Sequence, residues 1–362
     1  MALYPDADSE RRFNRVELTE SATAIFAACG MSSGDARVVA ESLVAADARG
    51  VHSHGLLRVE DYVKKLLHEG VDPNGRPAVV SRKAGAIRID GANSLGQISG
   101  VFAMDAAIDA ARETGIAFAA VGHSNHCGAL DFYALMAAKA GMIGVAGTNA
   151  LPTMAPWGGR EKIVGLNPIS IAMPTEGRSP FVLDTALGAT AHGKIRVYAQ
   201  KGVPIPEGWA FDAEGSPTTD AVAALEGLIQ PIGAFKGVGL AMAVGLLSTL
   251  LSGAGYGIES GNMVDGAFAG RDGQFYLAID VASFVEPAEF QSRLREIIAA
   301  FEASARISPE ARIFAPGSLE ATIAEDYARD GVPLNDECLA SIRRSAIMAG
   351  APEGVFAERN AP

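Results

Sequence analysis

Cysteine is scarce: the 362 residues hold three, Cys29, Cys127 and Cys338, widely spaced and with no CxxC pair. A disulfide framework is thereby excluded, and no zinc-ligand spacing is present. Positive charge is also in deficit. Lys and Arg number 30 against 42 Asp and Glu, a formal net charge of -12. Nucleic acid requires a basic face and is not expected as a partner. An anionic small molecule is still allowed, because a pocket can be locally positive inside a negative protein. Long apolar runs are missing. The opening MALYPDADSERRF has no signal-peptide core. The longest apolar stretch, Gly237–Leu251, carries three glycines and two hydroxyls. It is short for a bilayer span and reads as a buried core helix. These absences point to the cytoplasm and to no membrane partner.

Two nucleotide signatures are absent as well. There is no GxxxxGK[ST] phosphate loop, and no GxGxxG that follows a strand with an acidic residue downstream. Gly141–Gly147 is glycine-rich, but its spacing is wrong and it reads as a strand. A standard Rossmann domain is therefore not supported.

What is present is a globular composition, 49% hydrophobic and 20% charged. The length suits two domains or one elaborated domain. Met1–Asp8 and Glu358–Pro362 read as loose ends. The first 76 residues read as helical, with Thr19 as a cap of the first helix and Gly30 as its stop. Ser32 or Ser33 opens a second helix, and Leu56–Leu67 forms a third. Near Pro77 the texture changes. Ala86–Gly91 alternates like a half-buried strand, and Ile116–Val121 and Ile143–Thr148 suit buried strands. Gly165–Pro174 and Pro180–Asp184 read as further strands, with helices over Val101–Thr114 and Asp131–Ala140. The end is helical again: Glu289–Ala305, Leu319–Asp330 and Asp336–Met348, the last capped by Asn335. The terminal helices, 1–76 and 287–362, are expected to pack as one helical domain beside an α/β domain over 77–286.

Chemistry-bearing residues gather in two loops. The first is Arg49-Gly50-Val51-His52-Ser53-His54-Gly55-Leu56-Leu57-Arg58. Arg58 follows His54 by four residues, so both can face one pocket if a helix begins near Gly55. A guanidinium holds a carboxylate, and an imidazole can pass a proton to a carbonyl oxygen. The bland alternative is a polar loop that caps a helix. Zinc is disfavoured, because no third ligand of the right type lies nearby. The second loop, Gly122-His123-Ser124-Asn125-His126-Cys127-Gly128, leaves the apolar run Ile116–Val121, the usual place for site residues in α/β folds. It also reads as an ordinary turn with solvated histidines, or with Cys127 as a thiol nucleophile. Lys236, at the glycine-rich start of the long apolar helix, is a candidate phosphate contact.

Taken together the motifs go further. RGxxSHGxxR, SNHxGA, PTxAPWGG, GxNPIxxAxPT, GKI, IPxGWAxDxxGxPTTD and KGxGLA appear in one order between about Glu17 and Leu334. In this the sequence resembles the malate/L-lactate dehydrogenase family of the non-Rossmann type. That family includes ureidoglycolate and sulfolactate dehydrogenases, diketogulonate reductase and piperideine-2-carboxylate reductase. The resemblance implies an α/β fold with a mixed, largely antiparallel sheet, plus a helical domain from both termini. It implies a homodimer or higher oligomer, and NAD or NADP as cofactor. The substrate would be a small 2-hydroxy or 2-oxo acid, with a cyclic imino acid as the alternative. Arg58 would bind the carboxylate. His126 or His54 would be the proton donor, with Ser53 beside them. Ser124, Ala150, Asp184, Thr185, Ala186, Lys194 and Lys236 would fall on cofactor-contacting positions, and no metal is implied. Lys194 stands where the cyclic-imine reductases carry an acidic residue, which disfavours an imine.

Overall fold

The structure is a computed structural model that describes residues 10–68, 70–260, 270–352 and 355. The ends expected to be loose, Met1–Asp8 and Glu358–Pro362, lie outside the described residues.

At the centre is a seven-stranded sheet. Its strands run in the order Ala78–Lys83, Ala86–Asp90, Ile116–Ser124, Asp272–Asp280, Met142–Thr148, Ile169–Met173, Phe181–Thr185. Every neighbouring pair is antiparallel except Ala86–Asp90 with Ile116–Ser124. The middle strand comes from late in the chain and wedges between two strands formed much earlier. It is buried on both faces. Tyr276 packs against the Gly96–Thr114 helix, while Phe275 packs with Ala241 and Val244 of the Phe235–Thr249 helix. Adjacent residues of a strand point to opposite faces, so these two helices sandwich the sheet. Close approach is achieved with small residues. A Cβ on Gly100 would lie 2.5 Å from Tyr276 Oη, and one on Gly144 would lie 2.4 Å from the Ala134 carbonyl oxygen.

A second core joins the two chain ends. Leu18, Ile25, Phe26, Leu43 and Tyr62 share it with Val332, Leu334, Leu339 and Ile342. The short strands Arg11–Phe13 and Val332–Leu334 pair antiparallel beside it. Asn335 accepts from the Cys338 N–H at 2.8 Å, the cap expected of it.

Some local expectations are corrected. The first helix starts at Arg15 and is capped by Asn14, not Thr19; the Thr19 hydroxyl instead donates to the Arg15 carbonyl inside the helix. Leu56–Leu67 is not one helix. His52–His54 and Leu56–Arg58 form two tight turns, and the α-helix begins only at Val59. The stretch Gly165–Pro174 is interrupted: Val164–Gly165 and Ile169–Met173 belong to different sheets, and Asn167 between them has a positive φ of 34°. The apolar helix Phe235–Thr249 is buried on one face only. Phe235, Leu240, Met242, Leu247 and Leu250 are exposed on the other.

Candidate active site

The first loop is folded by a carboxylate that the sequence does not advertise. Asp47, 1% exposed near the end of the Ser33–Ala48 helix, accepts from the Leu56 N–H at 2.7 Å. Its other oxygen lies 2.7 Å from His52 Nδ1. Two backbone turns are thereby closed over one side chain. Gly55 is required at the crossing, because a Cβ there would sit 2.1 Å from Asp47 Oδ1. The folded loop brings Ser53, His54 and Arg58 to the wall of a cavity of about 670 Å3. Arg58 Nε donates to the Ser53 carbonyl at 2.7 Å, and Nη1 pairs with Asp61 at 3.1 Å.

The second loop delivers His126 to the same cavity. Its backbone is fixed by Asn125, whose side chain donates to Asn93 Oδ1 and the Ser94 carbonyl. His123 goes elsewhere: it is exposed and its Nδ1 faces Asp90. The rings of His54 and His126 stack with centroids 5.9 Å apart.

Each ring is held at Nδ1. Ser53 Oγ is 2.9 Å from His54 Nδ1, and Tyr62 Oη is 2.7 Å from His126 Nδ1. The Gly128 amide also donates to His126 Nδ1, at 3.3 Å. An amide can only donate, so Nδ1 is an acceptor and the neutral ring carries its proton on Nε2. Burial, and then the Arg58 charge, lowers the pKa of His54 to about 4. Burial lowers His126 well below its ordinary value, helped by His54, Arg58 and the buried Lys65. Both imidazoles are therefore neutral at pH 7 in the ligand-free protein.

The remaining expected residues divide. Ala150, Asp184, Thr185 and Ala186 line the cavity. Ala150 is pinned by its N–H to Asn167 Oδ1 at 2.9 Å, and Asn167 donates onward to the Ala241 carbonyl at 2.7 Å. Ser124 is fully buried and bonded to Ser99, and does not line it. Lys194 is exposed, its ammonium 4.9 Å from the centre of the Trp209 ring, and Lys236 is exposed at the start of its helix. Neither lines the cavity. Cys127 is no nucleophile: burial pushes its thiol up to about 12. Among the described residues no cluster of three or more His, Cys, Asp or Glu is placed to hold a metal ion.

The residues missed were Asp47, Tyr62 and Lys65. Tyr62 had a usable signal, since it follows Arg58 by one helical turn and so shares its face.

The family model for malate/L-lactate dehydrogenase matches residues 13–343. The chain belongs to the malate/L-lactate dehydrogenase family. Within it, the chain is 35% identical over 349 residues to malate dehydrogenase of Pyrococcus abyssi, covering 94% of this chain and 95% of that one. It is 35% identical over 298 residues to a Delta(1)-pyrroline-2-carboxylate/Delta(1)-piperideine-2-carboxylate reductase of Pseudomonas putida, covering 81% and 86%. The solved sulfolactate dehydrogenase of Methanocaldococcus jannaschii superposes with a TM-score of 0.87 at 32% identity, covering 94% of this chain and 98% of that one. The non-Rossmann, largely antiparallel sheet is therefore a family trait.

The cavity also suits the family's nicotinamide cofactor. Its volume is in the range of small-molecule and cofactor pockets. Its wall includes Thr148–Pro152, Asp184–Ala186 and the paired histidines.

The two depressed histidines set a pH dependence. A group whose folded pKa lies below its unfolded value of 6.5 leaves stability intact above that pH and removes it as pH falls toward the folded pKa. Ligand-free protein should therefore lose stability between pH 6.5 and about 4, more steeply than His54→Asn or His126→Asn does. Urea midpoints taken across this window check the sign. Parallel curves for all three proteins would contradict it.

Proposed function

We propose that the protein is a nicotinamide-dependent dehydrogenase that interconverts a small 2-hydroxy acid of the malate or lactate type and its 2-oxo acid. One observation carries the reading: a guanidinium and two neutral imidazoles share one wall of a cofactor-sized cavity. Bound nicotinamide would supply or accept the hydride at C2 of the acid. Arg58 holds the carboxylate and so orients C2. His126 presents Nε2–H to the reacting oxygen and, once protonated on both nitrogens, donates that proton to it. His54 and Ser53 stand beside it as the second proton-handling pair.

The acid itself loads the proton. Without ligand, Arg58 contributes to holding both rings neutral. A bound carboxylate offsets that charge and favours the imidazolium, which is the form that can protonate a developing alkoxide. In the oxidative direction the ring accepts the hydroxyl proton at Nε2 from its other neutral tautomer, in which Nδ1–H donates to the Tyr62 hydroxyl.

Two further features belong to the proposal. The exposed apolar face of the Phe235–Thr249 helix is the kind of surface that a second copy of the chain would cover, which supports a homodimer or higher oligomer. Light scattering should give a mass at or above twice 37.4 kDa, and Leu247→Glu should lower it. A monomeric wild type would refute that assembly. The three cysteines are unpaired and buried, which supports a reducing cytoplasm.

The test of the reaction is a panel of pyruvate, oxaloacetate, sulfopyruvate and piperideine-2-carboxylate, each with NADH and NADPH. Turnover is expected with a 2-oxo acid, and turnover with piperideine-2-carboxylate alone would favour the cyclic imino acid alternative. His126→Ala should lower kcat by about 10²–10⁴-fold. Arg58→Ala should lower kcat/KM by roughly 10–100-fold, mainly through KM. Full activity of both His126→Ala and His54→Ala would end this reading.

A further inference from the structure

The Tyr62 hydroxyl stands between two groups. On one side is His126 Nδ1 at 2.7 Å, and on the other Gln97 Nε2 at 3.0 Å. Gln97 is fully buried and does not line the cavity. It is the second residue of the Gly96–Thr114 helix, whose start presses on the second loop: a Cβ on Gly96 would lie 2.6 Å from the His126 carbonyl oxygen. An N–H only donates, so in this state the hydroxyl accepts from Gln97 and donates to Nδ1. The other end of the amide is bare. Among the described residues Gln97 Oε1 is buried and has no hydrogen-bond partner. A buried carbonyl without a partner is costly, and an apolar side chain would fill the same space without that cost.

The bare oxygen matters when the ring changes state. The imidazolium, and the tautomer left after it gives up the Nε2 proton, both carry a hydrogen on Nδ1. Nδ1 then donates to the Tyr62 hydroxyl, which must turn its own hydrogen elsewhere. Among the described residues its hydrogen-bond partners are His126 and Gln97, so Gln97 is what remains. Nε2 of the amide cannot accept that hydrogen, but Oε1 can once the amide turns over. Either orientation leaves one end of the amide bare, so neither is pinned by a further hydrogen bond. Glycine leaves the amide room: a Cβ on Gly128 would stand 3.2 Å from Gln97 Nε2. The other titratable groups that act on this pair are His54, Arg58, Asp61, Lys65 and Cys127, and none of them is hydrogen-bonded to the hydroxyl.

We propose that Gln97 is a positioning residue for the reaction, whose amide turns over so that the Tyr62 hydroxyl points at Nδ1 in the resting ring and away from it in the working one. This rests on the dehydrogenase reading, in which His126 is the acid. The transferred proton moves only between Nε2 and the substrate oxygen. The Nδ1 hydrogen stays on the ring through that step, and Gln97 neither gains nor loses a proton. The amide supplies the hydroxyl with a donor in one state and an acceptor in the other, and an apolar residue supplies neither.

Gln97→Met keeps the length of the side chain and removes both the donor and the acceptor. It should lower kcat by about 10–100-fold and leave KM within about twofold, since Arg58 still holds the carboxylate. In nitrogen-15 NMR of the whole protein, oxamate, an unreactive 2-oxo acid analogue, should no longer convert His126 to the imidazolium in Gln97→Met. Gln97→Glu, whose carboxyl offers an acceptor in either protonation state, should recover most of kcat. In a Tyr62→Phe background Gln97→Met should cost little more, whereas a merely structural loss would add to that of Tyr62→Phe. A second measurement needs no variant and stands even if a substitution unfolds the chain. In wild type labelled at the glutamine amides, the Gln97 NH2 signal should shift when oxamate binds, because the NH2 leaves the hydroxyl. Full kcat in Gln97→Met, or a Gln97 signal that stays put while His126 becomes imidazolium, would overturn the proposal alone. A wild type that turns over no 2-oxo acid and does not bind oxamate would overturn the dehydrogenase reading, and this proposal with it.

Discussion

The hydrogen bond between the Tyr62 hydroxyl and His126 Nδ1 ties the chain-end core to the loop that carries the candidate acid. Tyr62 belongs to the core built from the chain ends, and His126 to the loop that leaves the central sheet. Gln97, from the helix over the sheet, donates to the same hydroxyl at 3.0 Å. Three elements far apart in sequence thus agree on the position of one ring. The ring must be oriented before it can act, since a proton donor misplaced by about 1 Å loses much of its advantage.

The same constraint shapes the charges. Arg58 and two imidazoles occupy one wall with the buried Lys65 acting on His126, a crowding that would be costly if all were protonated. Burial first, and then the Arg58 charge, lowers both pKa values and keeps both rings neutral. The Arg58 charge thus stands on the cavity wall of a protein that is acidic overall. The Asp47 carboxylate does the complementary work from behind, folding the loop that presents Ser53, His54 and Arg58.

Much of this was legible in the sequence, and the reasons are physical. Ile116–Val121 reads as a buried strand because its apolar residues are contiguous, and the polar loop after it reads as a site for the same reason. His54 and Arg58 could be paired from spacing alone. The central position of Asp272–Asp280 was not readable, because strand order is a non-local pairing that leaves no local mark. Asp47, Tyr62 and Lys65 were missed because a buried polar side chain on a helix looks like a solvated one until its neighbours are known. The apolar Gly237–Leu251 stretch was read as wholly buried, since hydropathy does not distinguish a core face from an exposed one. Ser124 and Lys194 came from family resemblance, and Lys236 also from its glycine-rich helix start; in this chain all three lie outside the cavity wall.

The central claim is that His126 is a neutral ring with its proton on Nε2, recharged by the substrate's carboxylate. Nitrogen-15 NMR of histidine-labelled protein, read with and without oxamate, an unreactive 2-oxo acid analogue, tests it most directly. The account predicts a neutral Nε2–H signal for His126 near pH 7 that moves to the imidazolium form when oxamate binds, and fails to do so in Arg58→Ala. A His126 signal that is already imidazolium in the free protein, or that stays neutral with oxamate bound, would contradict it.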